Sequence, residues 1–387
     1  MAQRVLLHVG TPKSGTTYLQ TGLWQSRDAL RGAGVVLPGE KPFDHNRLSI
    51  VVRNGEHLRR RSEVPSAWTQ ALATTRAARG TVVISNEWFL ACDHEQAAGA
   101  VEQLGGDAVE VVVTTRDLVR LVPAGWQESL KIGRGTSLGD FVAGLDDGHN
   151  KWTWQALDPA LVARRWADVV GPERVHVVTS PQSTSDPSVL WDRFTGVLGL
   201  APGAVPAPIL SSNESLTVQA ARLLQEYGPT LKREVAEIDD TWRGAAHWMR
   251  NLVVRQVLVT VPGDPIGIGE ALADTLRARA ERTVADLRQL GCPVTGDLDD
   301  LLGGQDRAGS RHPDSVTDAE LVDAGRVLAA GLLRERMRSG RDEIAEVGPS
   351  RAATGGRGKG GKGGKGGKKK RRANAGGDQQ RPGRRNR

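Results

Sequence analysis

Residues 5–19 read VLLHVGTPKSGTTYL, and the fold is decided there. Residues 5–9 form a short apolar run of strand type, which the segment from Gly10 to Gly15 interrupts. From Thr16 a helical pattern begins, with Tyr18, Leu19, Leu23 and Leu30 spaced for one face. The order is strand, glycine-rich turn, helix. Such a turn offers backbone N–H groups and a helix N-terminus to an anion. Thr16 and Thr17 add hydroxyl donors, which serve equally to cap the helix. Gly10, Thr11, Pro12, Lys13, Ser14, Gly15, Thr16 and Thr17 are therefore the candidate phosphate cradle.

The two glycines have the spacing of the nucleoside-triphosphatase loop G-x-x-x-x-G-K-[ST], but the residue after Gly15 is Thr16. The lysine is Lys13, inside the turn. Thr16 cannot bring a positive charge to a β- or γ-phosphate, and no strand of four apolar residues ending in aspartate stands out to hold Mg²⁺. A triphosphatase is thus the poorer reading, and no metal is expected.

Three further apolar runs follow, Thr81–Ser85 (TVVIS), Val109–Thr115 (VEVVVTT) and residues 174–179 (RVHVVT). They are continuous and β-branched rather than alternating, as strands covered on both faces are. Helical stretches separate them, one at 159–169. The expected fold is α/β, a doubly wound, mostly parallel sheet of the P-loop NTPase-like type with a helical C-terminal portion. Ligands sit beyond the carboxyl ends of such strands, which sets Lys13, Glu87 and Arg116 along one rim. Residues 215–290 read mostly as helices. A loop at 303–315 precedes an amphipathic helix at 317–346, whose Thr317-Asp-Ala-Glu320 start fits a capping box. The expected divisions are an α/β domain with its helical part at 1–302, a linker and helix at 303–348, and a disordered basic tail at 349–387.

The tail distorts the overall charge. Residues 349–387 hold six lysines and eight arginines against one aspartate, so removing their +13 from the chain's +7 leaves −6 on the other 348 residues. The body is acidic, and lysine recurs in the tail at 359, 362, 365 and 368 between glycine pairs. Such a segment cannot bury a core. It attracts polyanions, whether nucleic acid or an anionic membrane surface, and lacks the aromatic residues that stack on bases. Cys92 and Cys292 fit neither a disulfide framework nor a zinc site, and idle thiols in a reducing compartment are expected. The first residues carry no charged-then-apolar targeting segment, and no apolar run approaches a membrane span. The expected location is cytoplasmic, with peripheral attachment to a membrane open to the basic tail.

The loop TPKSGTTYLQ closely resembles the 5′-phosphosulfate loop of the sulfotransferases that use 3′-phosphoadenosine 5′-phosphosulfate (PAPS), whose pattern P-K-S-G-T-T-x-L is matched from Pro12 to Leu19. That family's second landmark, a strand ending in Arg-Asp, is matched by VVVTTRD at Arg116. ISNEWF, WQESLK, LWDRFTGVLGL and SNESL resemble segments of its bacterial branch, so the likeness spans roughly residues 4–227. It implies a sulfuryl transfer from PAPS, a co-substrate, to a hydroxyl or amine of a carbohydrate, lipid or small metabolite. Lys13 would stabilise the departing oxygen, the 10–17 loop would bind the 5′-phosphate and Arg116 the 3′-phosphate. Many members place a serine on the 3′-phosphate eight residues after that arginine, where this chain has Ala124. Ser129 is wrongly phased on the helix to replace it, leaving Arg120 or a backbone amide. Gln127, Glu128 and Lys131 are further candidates for the pocket.

The base in that family is a histidine or a glutamate. Glu87 follows a strand where some members carry the histidine, although a carboxylate there also suits a helix N-terminus. His45, in FDHNRLS, is the second candidate base. His8 lies within the first strand and reads as packed. The bland alternatives are an exposed loop lysine for Lys13 and a salt bridge to Asp117 for Arg116. A rival function is a nucleotide- or polyanion-binding protein without sulfuryl transfer.

Overall fold

The computed structural model describes residues 2–53, 63–148, 152–182, 186, 188–209, 215–241, 244, 246–306 and 308–347. The expected basic tail at 349–387 and most of the SNESL segment lie outside the described residues.

Six parallel strands form one sheet: β1 (Arg4–His8), β2 (Val35–Val36), β3 (Thr81–Ser85), β4 (Val109–Thr115), β5 (Val175–Thr179) and β6 (Val294–Thr295). Their spatial order is β2-β3-β1-β4-β5-β6. β1 is central, with Leu6 opposite Val83 on one side and Glu110 on the other. From β1 the chain builds outward to β2 and β3, then crosses back to lay down β4. That reversal leaves a crevice beyond the carboxyl end of β1, the position where ligands bind in open parallel sheets. The doubly wound architecture expected from the apolar runs is what forms. β2 and β6 were not expected; each is two residues long at a sheet edge, too short for a periodic signal.

Residues alternate between two cores because successive strand side chains point to opposite faces. Val5, Leu7, Val82, Ile84, Val111, Val113 and Val177 pack on one face, with Trp166 among them. Leu6, Val83, Val112 and Val178 pack on the other, against Leu19, Leu23, Trp191 and Phe194. The helices of ten or more residues that enclose the sheet are α1 (Thr16–Gln25), α2 (Pro42–Val52), α3 (Glu63–Ala77), α4 (His94–Leu104), α5 (Leu118–Leu130), α6 (Pro159–Val170) and α7 (Ser188–Val197).

The C-terminal portion is helical, as expected, with α8 (Val218–Ile238), α9 (Glu270–Leu290) and α10 (Asp318–Val347). Between α8 and α9 runs a π-helix, Ala246–Val257. A third core joins this portion to α5, with Leu121, Val122 and Trp126 packed among Leu223, Val254, Leu258 and Leu276. The described residues up to Met337 form the first of two units. Packing within the first continues past residue 302: Arg277 donates to the Gly304 carbonyl, and Arg311 pairs with both Asp264 and Glu320. The capping box forms, with the Thr317 N–H donating to the Glu320 carboxylate and the Glu320 N–H to the Thr317 hydroxyl.

Both cysteines are free and buried, and burial pushes the Cys92 thiol up to about 12 and that of Cys292 to about 11. Neither is a nucleophile at neutral pH. Among the described residues no helix is long and apolar enough to cross a membrane.

Candidate active site

Each central strand turns polar at its carboxyl end: His8 on β1, Ser85 on β3, Thr114 and Thr115 on β4, all buried. The side chains of His8, Ser85 and Thr114 bond to one another beneath the loop. His8 Nδ1 lies 2.7 Å from the Ser85 hydroxyl and Nε2 3.0 Å from that of Thr114. Above them the Ser14 hydroxyl donates to the Thr11 carbonyl at 2.7 Å and lies 2.9 Å from the Thr114 oxygen. Thr11 donates its N–H to the Thr114 carbonyl at 2.8 Å. The Ser14 hydroxyl, the Thr11 N–H and the Thr11 hydroxyl, which reaches the same Thr114 carbonyl at 3.2 Å, thus fasten the loop to β4. Burial lowers His8 from 6.5 to about 3, so it remains a neutral strut. It is packed, as its place inside the strand suggested.

Two positions need glycine. Gly10 has φ 49°, and a Cβ there would fall 2.6 Å from Thr16 Cγ2 and 2.8 Å from the Thr114 hydroxyl. Gly15 has φ 90° and a Cβ would meet Leu190 at 2.5 Å. Gly15 is the N-cap of α1, and no side chain caps that helix, so the amides of its first turn face the loop uncovered by Thr16 or Thr17. Thr16 is buried and Thr17 exposed.

Lys13 adopts φ 66°, and among the described residues it alone combines a positive φ with a side chain. Holding a non-glycine residue there costs on the order of 1–3 kcal/mol, a strain that clusters at functional sites. The side chain is 30% exposed, and its ammonium meets Glu128 Oε1 at 2.7 Å. An unconstrained surface lysine would show neither feature. Arg116, directly after β4, donates from Nη1 to the Lys13 carbonyl at 3.3 Å. The two cations expected on the rim are thereby joined through the loop backbone. Asp117 is occupied elsewhere: it caps α5 and pairs with Arg120. Arg120 also donates to the Pro181 carbonyl, which ties it to the scaffold. Ser129 donates along its own helix to Trp126, in keeping with its phase.

Glu87 begins a 3₁₀ turn, Glu87–Ala91, immediately after β3, so its carboxylate does stand at a helix N-terminus. It also reaches across to α1, accepting from Gln20 Nε2 at 2.9 Å. His45 sits on α2 and is 1% exposed. Its Nδ1 accepts the Ser85 N–H at 3.1 Å, which leaves Nε2 as the donor to the Pro38 carbonyl at 3.0 Å. Burial lowers its pKa to about 4. With both nitrogens bonded to backbone, the ring would have to abandon the Ser85 amide to accept a proton. Glu87, by contrast, is only partly buried. A cavity of about 180 Å³ lies between α2 and α3, lined by Pro38, Gly39, Asp44, Arg47 and Gln70.

Sequence reasoning did not find Arg250, on the π-helix. It pairs with Glu128, and the charge of Glu87 favours its protonated form against a burial that lowers its pKa. Lys131 completes the set, 2.9 Å from Glu128 Oε1. Arg250, Glu128 and Lys13 therefore form a row of ion pairs that ties the π-helix to the loop cation. Gln127 turns away, accepting the Leu216 N–H from the helical portion.

No protein-family model matches this chain, and no curated protein does. Among solved structures it is similar to a sulfotransferase from Alicyclobacillus acidocaldarius, at 16% identity and a TM-score of 0.37, covering 63% of this chain and 99% of the other.

Proposed function

We propose that the protein is a sulfotransferase that moves a sulfuryl group from PAPS to a hydroxyl or amine acceptor. The observation that carries this reading is Lys13: a cation held inside the turn, in a strained conformation, at the reversal point of the sheet. In this reaction the acceptor oxygen or nitrogen attacks sulfur, and the bond from sulfur to the bridging oxygen breaks. The electron pair stays on the departing 5′-phosphate, and the acceptor's proton passes to a base. Charge appears on the bridging oxygen only as that bond breaks, so an ammonium beside it lowers the barrier without equally stabilising the bound donor.

The chain's own groups fit these tasks. Amides of the first turn of α1, uncapped by side chains, face the 5′-phosphate, and Lys13 faces the bridging oxygen. Arg116, whose guanidinium already fixes the loop through the Lys13 carbonyl, takes the 3′-phosphate. Glu87 accepts the proton while Gln20 holds its carboxylate in place. The acceptor belongs to carbohydrates, lipids or small metabolites.

Titration calorimetry with 3′-phosphoadenosine 5′-phosphate tests the reading. Binding is expected, with marked weakening in Arg116→Ala and in Lys13→Ala. Equal affinity for ATP with Mg²⁺ would turn the reading toward a triphosphatase, and indifference to both nucleotides would end it.

A further inference from the structure

A carboxylate that is only 10% exposed needs a compensating cation, and Glu128 has more than one. Oε1 accepts from Lys13 at 2.7 Å and from Lys131 at 2.9 Å, while Oε2 is paired with Arg250. Removing the sole partner of a buried charge is severely destabilising. Here Lys13 can depart and leave Glu128 still neutralised by Lys131, itself only 9% exposed, and by Arg250. Of the two lysines, Lys13 is the more exposed and comes from a different element, 115 residues away along the chain. Lys131 stands three residues from Glu128 at the end of the same helix. The arrangement has one partner fixed on the helix of Glu128, Lys131, and two brought from other elements, Lys13 and Arg250, so either can leave with the carboxylate still paired.

We propose that Glu128 is a positioning residue that holds the Lys13 ammonium at the loop and yields it to the incoming donor. The inference rests on the sulfotransferase reading and specifies how the loop cation waits between turnovers. The carboxylate keeps the long lysine side chain in one orientation, so its conformational freedom is already spent when the donor arrives. The phosphosulfate then competes with Glu128 for the same ammonium. Glu128 therefore weakens binding of the donor nucleotide while supporting the geometry of transfer. Arg250 remains on Glu128 after the exchange and keeps that carboxylate out of the donor's path.

A merely structural carboxylate and a competing one give opposite signs in a binding experiment. In Glu128→Gln, affinity for 3′-phosphoadenosine 5′-phosphate is expected to rise about fivefold, the upper end for one such ion pair. Under turnover, KM for PAPS is expected to fall together with kcat, because the ammonium is no longer held ready. In the background of Lys13→Ala, adding Glu128→Gln is expected to leave nucleotide affinity unchanged. Glu128→Asp, which keeps the charge beside Lys131 but withdraws it by one methylene, is expected to shift affinity in the same direction by less. This variant decides the matter if Glu128→Gln does not fold.

Weaker or equal nucleotide binding in the folded Glu128 variants would overturn the inference while leaving the sulfotransferase reading intact. A gain that persists in the Lys13→Ala background would overturn it as well. Failure of the unaltered chain to bind the nucleotide would overturn both.

Discussion

The sheet with its loop and the helical C-terminal portion are built on different terms. In the sheet, buried valines and leucines on both faces leave a polar fringe only at the strand ends, and that fringe holds the loop by short bonds between buried groups. The helical portion packs its core against α5 and sends one charged side chain, Arg250, back to the loop region. The first half fixes positions and carries Lys13, Glu87, Arg116, Glu128 and Lys131; the second adds Arg250 from outside the sheet. If this division is right, damage to the two halves differs in kind, and four measurements sharpen it.

The largest expected effect is on the shared core. Trp126 is fully buried where α5 meets the helical portion, and its indole donates to the Thr136 carbonyl. Trp126→Ala should cost about 3–5 kcal/mol in urea unfolding. A loss below 1 kcal/mol would mean that the helical portion is only loosely joined to α5.

Next comes Lys13→Ala. It should lower kcat for sulfuryl transfer by about 10²–10³, or 2.7–4 kcal/mol in barrier, while the melting temperature moves little. A drop in stability with retained kcat would make Lys13 a structural residue and reverse its assignment.

The third concerns the neutral imidazole beneath the rim. His45 titrates near 4 in the fold because it is buried, against 6.5 when unfolded. Between those values the unfolded chain binds the proton and the native one does not, so stability falls as pH drops from about 6.5 to 4. The contribution is on the order of 3 kcal/mol. His45→Gln should be less stable than the parent at pH 7, and the gap should narrow by about that amount by pH 4 in urea melts. A gap independent of pH would show that the ring takes up a proton in the fold as readily as in the unfolded chain, and reopen it as a base.

The smallest effect belongs to the surface of the helical portion. Arg326 and Asp323 pair at 2.6 Å, both largely exposed. Arg326→Ala should change stability by less than about 0.5 kcal/mol, and a larger loss would mark a partner surface there.

The same contrast explains what could be read in advance. The four long strands and the loop were visible because continuous β-branched runs broken by Gly10 and Gly15 have few alternative structures. Thr81–Ser85 and Val109–Thr115 came out with the bounds they have in the fold. Lys13 stood out as a cation inside a phosphate-type turn and Arg116 through the likeness of VVVTTRD to a sulfotransferase landmark, and the structure joins them through the loop backbone. Glu87 was placed ahead of His45 from sequence, but what sets His45 apart was not visible there, since the bonds that pin it come from Ser85 and Pro38, backbone groups that leave no mark on side-chain pattern. Arg250 was hidden for another reason. It lies in a π-helix, where the wider turn shifts which residues share a face, so a period of 3.6 does not point it at the loop. Glu128 was visible as a polar residue at a promising helix end. That it gathers Lys13, Lys131 and Arg250 was not, because two of these partners are more than a hundred residues distant.

Those separations have a consequence for how the molecule comes into being. The cradle needs only residues up to Thr115, but the acid that secures its ammonium follows 115 residues after Lys13, and the arginine that steadies the acid another 122 later. On a ribosome delivering the chain from its amino end, the turn and the acid that meets its ammonium emerge close together, well before the arginine that steadies the acid. The full set of ion pairs around the loop is therefore acquired late, when residue 250 of the 387 emerges.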